Sequence, residues 1–132
     1  MIHLASLNLS VVIAVIACII GGVMGGARFA RPPGSTPHGR AEGRAFAGML
    51  ILAHAGTAMT LGYSPAMGRL MAGVLALGWL GAGLGRGLSL IMDRQSDPML
   101  RQALIFEFLM AMALGLPALG VGQASFGGVV EV

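Results

Sequence analysis

The sequence predicts an all-α membrane protein, a four-helix transmembrane bundle with both termini on the non-cytoplasmic side. Only 10% of the 132 residues are charged and 56% are hydrophobic, and long uncharged segments alternate with short Arg-rich ones. A soluble domain carries about 25% charged residues. Glycine is abundant, with 22 residues, as is usual in membrane helices, where small residues let backbones approach closely. We expect one integral membrane domain over residues 1–132.

Four segments are long and apolar enough to cross the bilayer, because a helix needs about 20 residues to span about 30 Å of hydrocarbon. Their predicted bounds are about 5–25, 45–63, 70–92 and 102–121. The first two contain no charged residue, and the third and fourth contain one each, Arg86 and Glu107. We expect Pro117 to kink the fourth helix near its outer end, since proline removes a helical hydrogen bond.

The distribution of arginine predicts the orientation of these spans. All eight basic residues are arginine. Six of them lie in the predicted first and third connections, residues 28–44 and 93–101: Arg28, Arg31, Arg40, Arg44, Arg94 and Arg101. The opposite side carries only Arg69, in the second connection. Cytoplasmic loops are enriched in arginine, so we expect these two connections in the cytoplasm of a bacterial inner membrane, and no nucleic-acid partner despite the net charge of +3.

The lone cysteine, Cys18, lies within the first span. Val15–Cys18 loosely fits a lipoprotein cleavage box, which would make the first span a removable signal. However, no arginine or lysine precedes this segment, and the chain stays apolar through Gly26. Signal peptides begin with a basic region, so we expect the first span to remain a transmembrane helix.

The two intramembrane charges, Arg86 and Glu107, flank the third connection at similar distances. With a helical rise of about 1.5 Å per residue, both lie roughly 9–10 Å below the cytoplasmic boundary. A charge at a helix centre costs about 2.5–3.5 kcal/mol on insertion scales, so we expect them to form an ion pair. Ser89 and Asp93 share the helix face of Arg86, and Glu42 could reach this polar cluster from the second span. The cluster either clamps the helices together or forms a pocket for a headgroup, an anionic ligand or a proton.

His54 is a candidate ligand contact near the middle of the second span. A haem with two axial histidines would need a second imidazole at that depth, but His3 lies at the terminus and His38 in a loop. A methionine could supply the second haem ligand, although ten methionines make that match uninformative. The alternative is a histidine hydrogen-bonded to a neighbouring helix. Metal-ligand spacing is absent from the sequence, so we expect no metal and no cofactor.

Small residues recur at helical spacing in three spans, which predicts close helix packing within the chain or between copies. They are Gly21/Gly25 and Gly22/Gly26 in the first span, Gly78, Gly81/Ala82 and Gly85 in the third, and Ala111, Gly115 and Ala118 in the fourth.

The segment GLGRGLSLIMDRQSDP at residues 83–98, followed by a glutamate in the next span, resembles domain-of-unknown-function family 4345, a family of small four-helix membrane proteins. The residues Arg40–Arg44 before the second span are also similar to its pattern. The resemblance covers about residues 40–115, whereas the long Pro-rich first loop and the missing basic N-terminus depart from it. It implies the four-helix fold and no established activity. It carries over to these residues: Glu42, Arg86, Ser89, Asp93 and Glu107.

The sequence contains no nucleophile elbow, phosphate-binding loop or other catalytic constellation, so we expect no enzymatic activity. The leading expectation is a structural or accessory component of a membrane assembly, with a membrane-protein partner or a second copy of the chain. The alternative is a carrier or binder of a small anionic or lipidic ligand. In that alternative Arg86 meets the anionic group and Glu107 is its counter-ion or proton acceptor.

Overall fold

The computed structural model describes residues 8–94 and 97–121, which form four helices in a single bundle. These are α1 (Leu9–Ala30), α2 (Pro37–Tyr63), α3 (Pro65–Met92) and α4 (Pro98–Gly115). Each helix packs on the next along the chain, and α4 closes the bundle against α1. Short connections make successive helices antiparallel neighbours. The predicted all-α four-helix bundle is therefore confirmed.

Three helices begin at a proline, earlier than the predicted spans. Proline suits the first helical turn because its missing N–H has no partner there in any case. Thr36 caps α2 by accepting a hydrogen bond from the Gly39 N–H at 3.1 Å, and Asp97 caps α4 by accepting one from the Met99 N–H at 2.9 Å. Ser64 alone separates α2 from α3. A proline, joined in α2 and α4 by a capping side chain, thus marks each of these helix starts, and the connections shrink to residues 31–36, 64 and 93–97.

The outer helix ends also differ from the prediction. The first helix starts after its cap Asn8 and continues to Ala30, while the predicted start at residue 5 lies outside the described residues. The predicted kink in α4 is wrong, because α4 ends at Gly115 and Pro117 lies in the following turn. A proline ring clashes with the preceding helical turn and disfavours helix in the residue before it. Here that effect ends the helix.

The interior of the bundle is built mainly from small side chains, and the large apolar ones point outward. Residues such as Ala14 and Ala72 are fully buried. By contrast, Leu52 is 75% exposed and Leu77 and Met112 are each 67% exposed. All four helices are long and apolar enough to cross a membrane. An apolar outer surface of this extent is consistent with an integral membrane protein surrounded by lipid.

Only part of the predicted small-residue pattern lies at helix contacts within the chain. On α1, Gly25 faces α2, where an added Cβ would lie 3.1 Å from the carbonyl oxygen of Ala47. On α3, an added Cβ at Gly78, Gly81 or Gly85 would have no neighbour within 4 Å. The predicted stripe on α3 therefore faces outward and makes no close contact within the described chain, which leaves packing between copies as the open alternative. A different face of α3 packs on α4, and it includes Gly83, where an added Cβ would lie 3.5 Å from Phe108 and 3.6 Å from Glu107.

We expect cysteine labelling to reveal the orientation of the bundle. In a Cys18→Ala background, Ser64→Cys should react with a membrane-impermeant maleimide in intact cells, because the Arg-poor side is predicted to face outward. Ser35→Cys, in the connection between α1 and α2, should react only after permeabilisation. Both serines are exposed, so each serves as the other's accessibility control. The opposite labelling pattern would contradict the orientation predicted from arginine.

Candidate binding site

An ion pair joins α3 and α4 within the apolar part of the bundle. The Nε of Arg86 donates to Oε1 of Glu107 at 2.5 Å. The two residues meet because an antiparallel pair of helices brings positions equally far from their connection to the same depth. The predicted ion pair is therefore present in the structure.

The two partners of this ion pair differ in burial and in how far their hydrogen bonding is satisfied. The Glu107 side chain is only 5% exposed, whereas that of Arg86 is 35% exposed. The second carboxylate oxygen of Glu107, Oε2, is buried and has no hydrogen-bond partner in the described part of the chain. Arginine and carboxylate often pair through two parallel hydrogen bonds, but here one nitrogen bonds one oxygen. The pair thus leaves hydrogen-bonding capacity unused on both sides.

Arg86 also lines an open pocket on the surface of the bundle, beside α3 and the start of α4. The pocket has a volume of about 390 Å³. Its polar lining consists of Arg86, Ser89 and Asp93, which share one face of α3 as the sequence predicted. The remaining lining residues are Ala82, Gly85 and Leu100. The sequence had placed Gly85 and Ala82 in a packing stripe. Their position next to Arg86 was the signal that could have assigned them to the pocket.

Glu42, the fifth residue predicted for this polar cluster, is not part of it in the structure. Its Oε1 lies 3.0 Å from Nε2 of His38, one turn earlier on α2, and both side chains are exposed. Because α2 begins at Pro37, these residues form an exposed pair at four-residue spacing on its first turns. The expectation that Glu42 reaches the Arg86 pocket is therefore wrong.

His54 is fully buried at the centre of the bundle, and both its ring nitrogens are hydrogen-bonded. Nδ1 lies 2.7 Å from the carbonyl oxygen of Leu50, and the indole N–H of Trp79 donates to Nε2 at 3.1 Å. A carbonyl can only accept and an indole N–H can only donate, so His54 is a neutral imidazole protonated on Nδ1. With both nitrogens engaged, the structure does not support His54 as a polar ligand contact. It supports the alternative of a histidine bonded to a neighbouring helix.

Sequence analysis missed the partners that surround His54. Trp79 stacks edge-on against the imidazole of His54, and Phe106 of α4 stacks edge-on against Trp79, with ring centroids 5.7–5.8 Å apart. An added Cβ at Gly21 of α1 would overlap the imidazole ring. One contact chain thus links all four helices. The single tryptophan of the sequence was the signal that could have found it, because a buried indole N–H needs an acceptor.

A second cavity, of about 280 Å³, lies between α1 and α2 and carries no charged side chain. Cys18 and His54 are among its lining residues, but the lining is almost wholly apolar. Within residues 8–94 and 97–121, no group of three or more His, Cys, Asp or Glu side chains could hold a metal ion. The pocket beside Arg86 is therefore the candidate binding site.

The fold and this site define a small four-helix membrane bundle with an intramembrane Arg–Glu pair beside an open pocket. The chain belongs to the family described as "Domain of unknown function (DUF4345)", whose profile matches residues 5–117. This match confirms the resemblance seen at residues 83–98 and extends it across the first helix and the Pro-rich connection. No curated protein and no solved structure matches the chain.

We expect the two halves of the ion pair to differ in their effect on stability. Arg86→Gln strands a buried carboxylate, and breaking a buried pair in this way costs about 3–5 kcal/mol. Glu107→Gln leaves an arginine that is already 35% exposed and can extend toward the interface, so we expect a loss of only about 1 kcal/mol. Reversible unfolding in mixed micelles would measure both values.

The double variant Arg86→Gln/Glu107→Gln is the matched control for this asymmetry. It removes the stranded carboxylate, so its stability should return close to that of Glu107→Gln alone. Equal losses for the two single variants, or a double variant no more stable than Arg86→Gln, would contradict the unequal burial of the pair.

We expect Gly21→Ala to destabilise the bundle, because the new methyl group would overlap the His54 ring. Overpacking a core typically costs about 1–3 kcal/mol, and the thermal unfolding midpoint in detergent should fall accordingly. Gly26→Ala is the control on the same helix, since an added Cβ there has no neighbour within 4 Å. If the two variants were equally stable, Gly21 would not be the contact that seats His54.

Proposed function

We propose that this protein is a non-enzymatic binding protein of the bacterial inner membrane, and that its pocket between α3 and α4 binds a polar or amphiphilic ligand. One observation carries the proposal. Arg86 lines an open pocket while its buried partner, Glu107, keeps a carboxylate oxygen without a hydrogen-bond partner in the described chain.

The incomplete hydrogen bonding argues against a pair that serves only as a clamp between helices. A buried polar atom without a partner costs about 1–3 kcal/mol, and more when the group is charged. A clamp would be more stable with both carboxylate oxygens bonded. Such groups in native structures call for an explanation beyond helix packing, such as a bound water or ion or a catalytic role.

Arg86 can bind a ligand without breaking the ion pair. A guanidinium carries five N–H donors, and within the described residues Arg86 uses only its Nε. The donors on the two η-nitrogens remain available at the pocket. They match the oxygen atoms of a carboxylate or a phosphate, which arginine binds with two parallel hydrogen bonds.

The position of the pocket favours a ligand that enters from the bilayer. Its lining on α3 runs from Ala82 to Asp93, a length of about 16 Å at 1.5 Å per residue. Asp93 caps the C-terminal end of α3, which is the end predicted to face the cytoplasm, whereas Ala82 and Gly85 lie on the exposed, apolar face of this helix. A ligand that fills this length would contact both hydrocarbon and interface, as an amphiphile does.

The accessory role expected from the sequence remains the second candidate, and one observation favours it. The outer face of α3 carries Gly78, Gly81 and Gly85, none with a neighbour within 4 Å of an added Cβ. Glycines on a lipid-facing surface allow another helix to approach closely. A membrane-protein partner or a second copy of the chain would be held there.

Mild purification of the full chain followed by native mass spectrometry tests the binding function. We expect a small amphiphile to remain bound to the wild-type protein in a one-to-one ratio and to be lost in Arg86→Gln, because the guanidinium supplies its main contact. Arg69→Gln at the opposite end of α3 is the control and should retain the ligand, since the Nε of Arg69 bonds the backbone oxygen of Pro65 instead.

The other outcomes of this experiment are equally informative. A copurified membrane protein without any small molecule would support the accessory role. Retention of the amphiphile in Arg86→Gln would contradict the assignment of the pocket. Arg86→Gln also leaves the buried Glu107 carboxylate without its partner, which could impair folding. Arg86→Lys is therefore the second variant, because it keeps the charge but not the planar donor pair. It should remain folded and bind the ligand more weakly.

A further inference from the structure

We propose that the Arg86 pocket selects a headgroup that carries both a phosphate diester and a primary ammonium group. This inference rests on the binding function proposed above and names its ligand class. The phosphate would lie at Arg86 and Ser89, and the ammonium at Asp93. The three side chains line one pocket from one face of α3.

The charges around the pocket disfavour a purely anionic ligand. Asp93 lines the pocket beside Arg86, and the buried Glu107 of α4 already bonds Arg86. One cationic side chain therefore faces two carboxylates. An anion would satisfy the guanidinium but would lie near the Asp93 carboxylate in the same pocket. A zwitterion places its cation against the carboxylate that lines the pocket, so it complements the site at both ends.

The position of Asp93 at the C-terminus of α3 points to a cation at that end of the pocket. Asp93 is the C-cap of α3, and the last turn of that helix contains no basic residue. The C-terminus of a helix carries the negative end of its dipole, where an acidic side chain is unfavourable and a cation is stabilised. The described residues supply no salt bridge to this carboxylate within 4 Å, the following Arg94 included. An ammonium group there would meet both the carboxylate and the helix terminus.

The order of side chains along α3 matches the order of chemical groups in an aminophospholipid. Along the exposed face of α3, the small apolar residues Ala82 and Gly85 come first. Arg86 and then Ser89 follow, and the face ends at Asp93. A phospholipid with an amine headgroup presents acyl chain, phosphate and ammonium in that sequence from the bilayer centre outward. The Nε of Arg86 stays bonded to Glu107, so the phosphate would meet the η-nitrogens of Arg86 at that depth, about one helical turn from Ser89.

The same headgroup chemistry also occurs in soluble form, without acyl chains. The apolar lower half of the pocket would then remain unfilled, so the lipid should bind more tightly. Glycerophosphoethanolamine and phosphatidylethanolamine therefore distinguish the two sources. Binding of either one supports the headgroup chemistry, and their relative affinity assigns the source.

The experiment is a lipid titration of the delipidated full chain followed by native mass spectrometry. Phosphatidylethanolamine and phosphatidylglycerol with identical acyl chains are compared, since they share the phosphate and differ in the amine. We expect the wild-type protein to bind phosphatidylethanolamine at least about tenfold more tightly, the effect of one charge-assisted hydrogen bond. Asp93→Asn should abolish this preference while retaining binding of phosphatidylglycerol.

Asp97→Asn is the matched control. Asp97 is also exposed at this end of the bundle but caps α4, and asparagine caps a helix equally well, so the preference should persist. Asp93 is exposed at a helix C-terminus, so its neutralisation should not impair folding, and a circular dichroism spectrum checks this.

Equal binding of both lipids by the wild-type protein, or an unchanged preference in Asp93→Asn, would overturn the inference and leave the binding function intact. Failure of the wild-type protein to bind either lipid or glycerophosphoethanolamine would overturn the inference, and the absence of any copurified amphiphile would separately count against the binding function.

Discussion

Hydrocarbon offers no hydrogen-bond partners, so each polar group within a membrane span must find its partner inside the protein. This constraint organises the bundle. The hydroxyl groups of Thr57 and Thr60 donate to backbone carbonyls one turn earlier, at 2.8 and 2.9 Å. His54 meets the constraint through Leu50 and Trp79. Through Gly21 and Phe106, the same histidine and tryptophan also connect α1 and α4 to the centre, so polar satisfaction and helix packing depend on each other.

The Arg86–Glu107 pair satisfies the constraint only in part, and that exception separates the candidate site from the structural network. Around His54 both ring nitrogens are bonded, and the surrounding side chains leave no room even for a methyl group at Gly21. Around Arg86, a carboxylate oxygen lacks a partner and a pocket opens to the outside. Two polar clusters thus differ in character: the one at His54 has its ring nitrogens bonded and links the helices, and the one at Arg86 borders an open pocket, as the proposed binding function requires.

Sequence reasoning succeeded where a local pattern is tied directly to a physical requirement. Long uncharged segments identified four helices, and the symmetric placement of Arg86 and Glu107 about one connection identified their pairing. It also placed Ser89 and Asp93 on the face of Arg86, because helical periodicity fixes that relation. It failed for Glu42 and for the end of α4. Glu42 lies on α2, whose rotation depends on packing, and the effect of Pro117 depended on whether the chain continued as a kinked helix or stopped.

The sequence by itself determined the all-α class, the number of helices and the pairing of Arg86 with Glu107, because these follow from hydrophobicity, length and the fixed rise of a helix. Only the tertiary structure decided which face of each helix points inward. It turned Gly21 toward His54 and Gly85 toward the outside, although both belong to similar small-residue patterns. It also decided that Trp79, rather than a ligand, meets His54, and that Arg86 borders a pocket. These outcomes depend on the rotation of each helix about its axis, which is set by the combined packing of all four helices and not by any one segment.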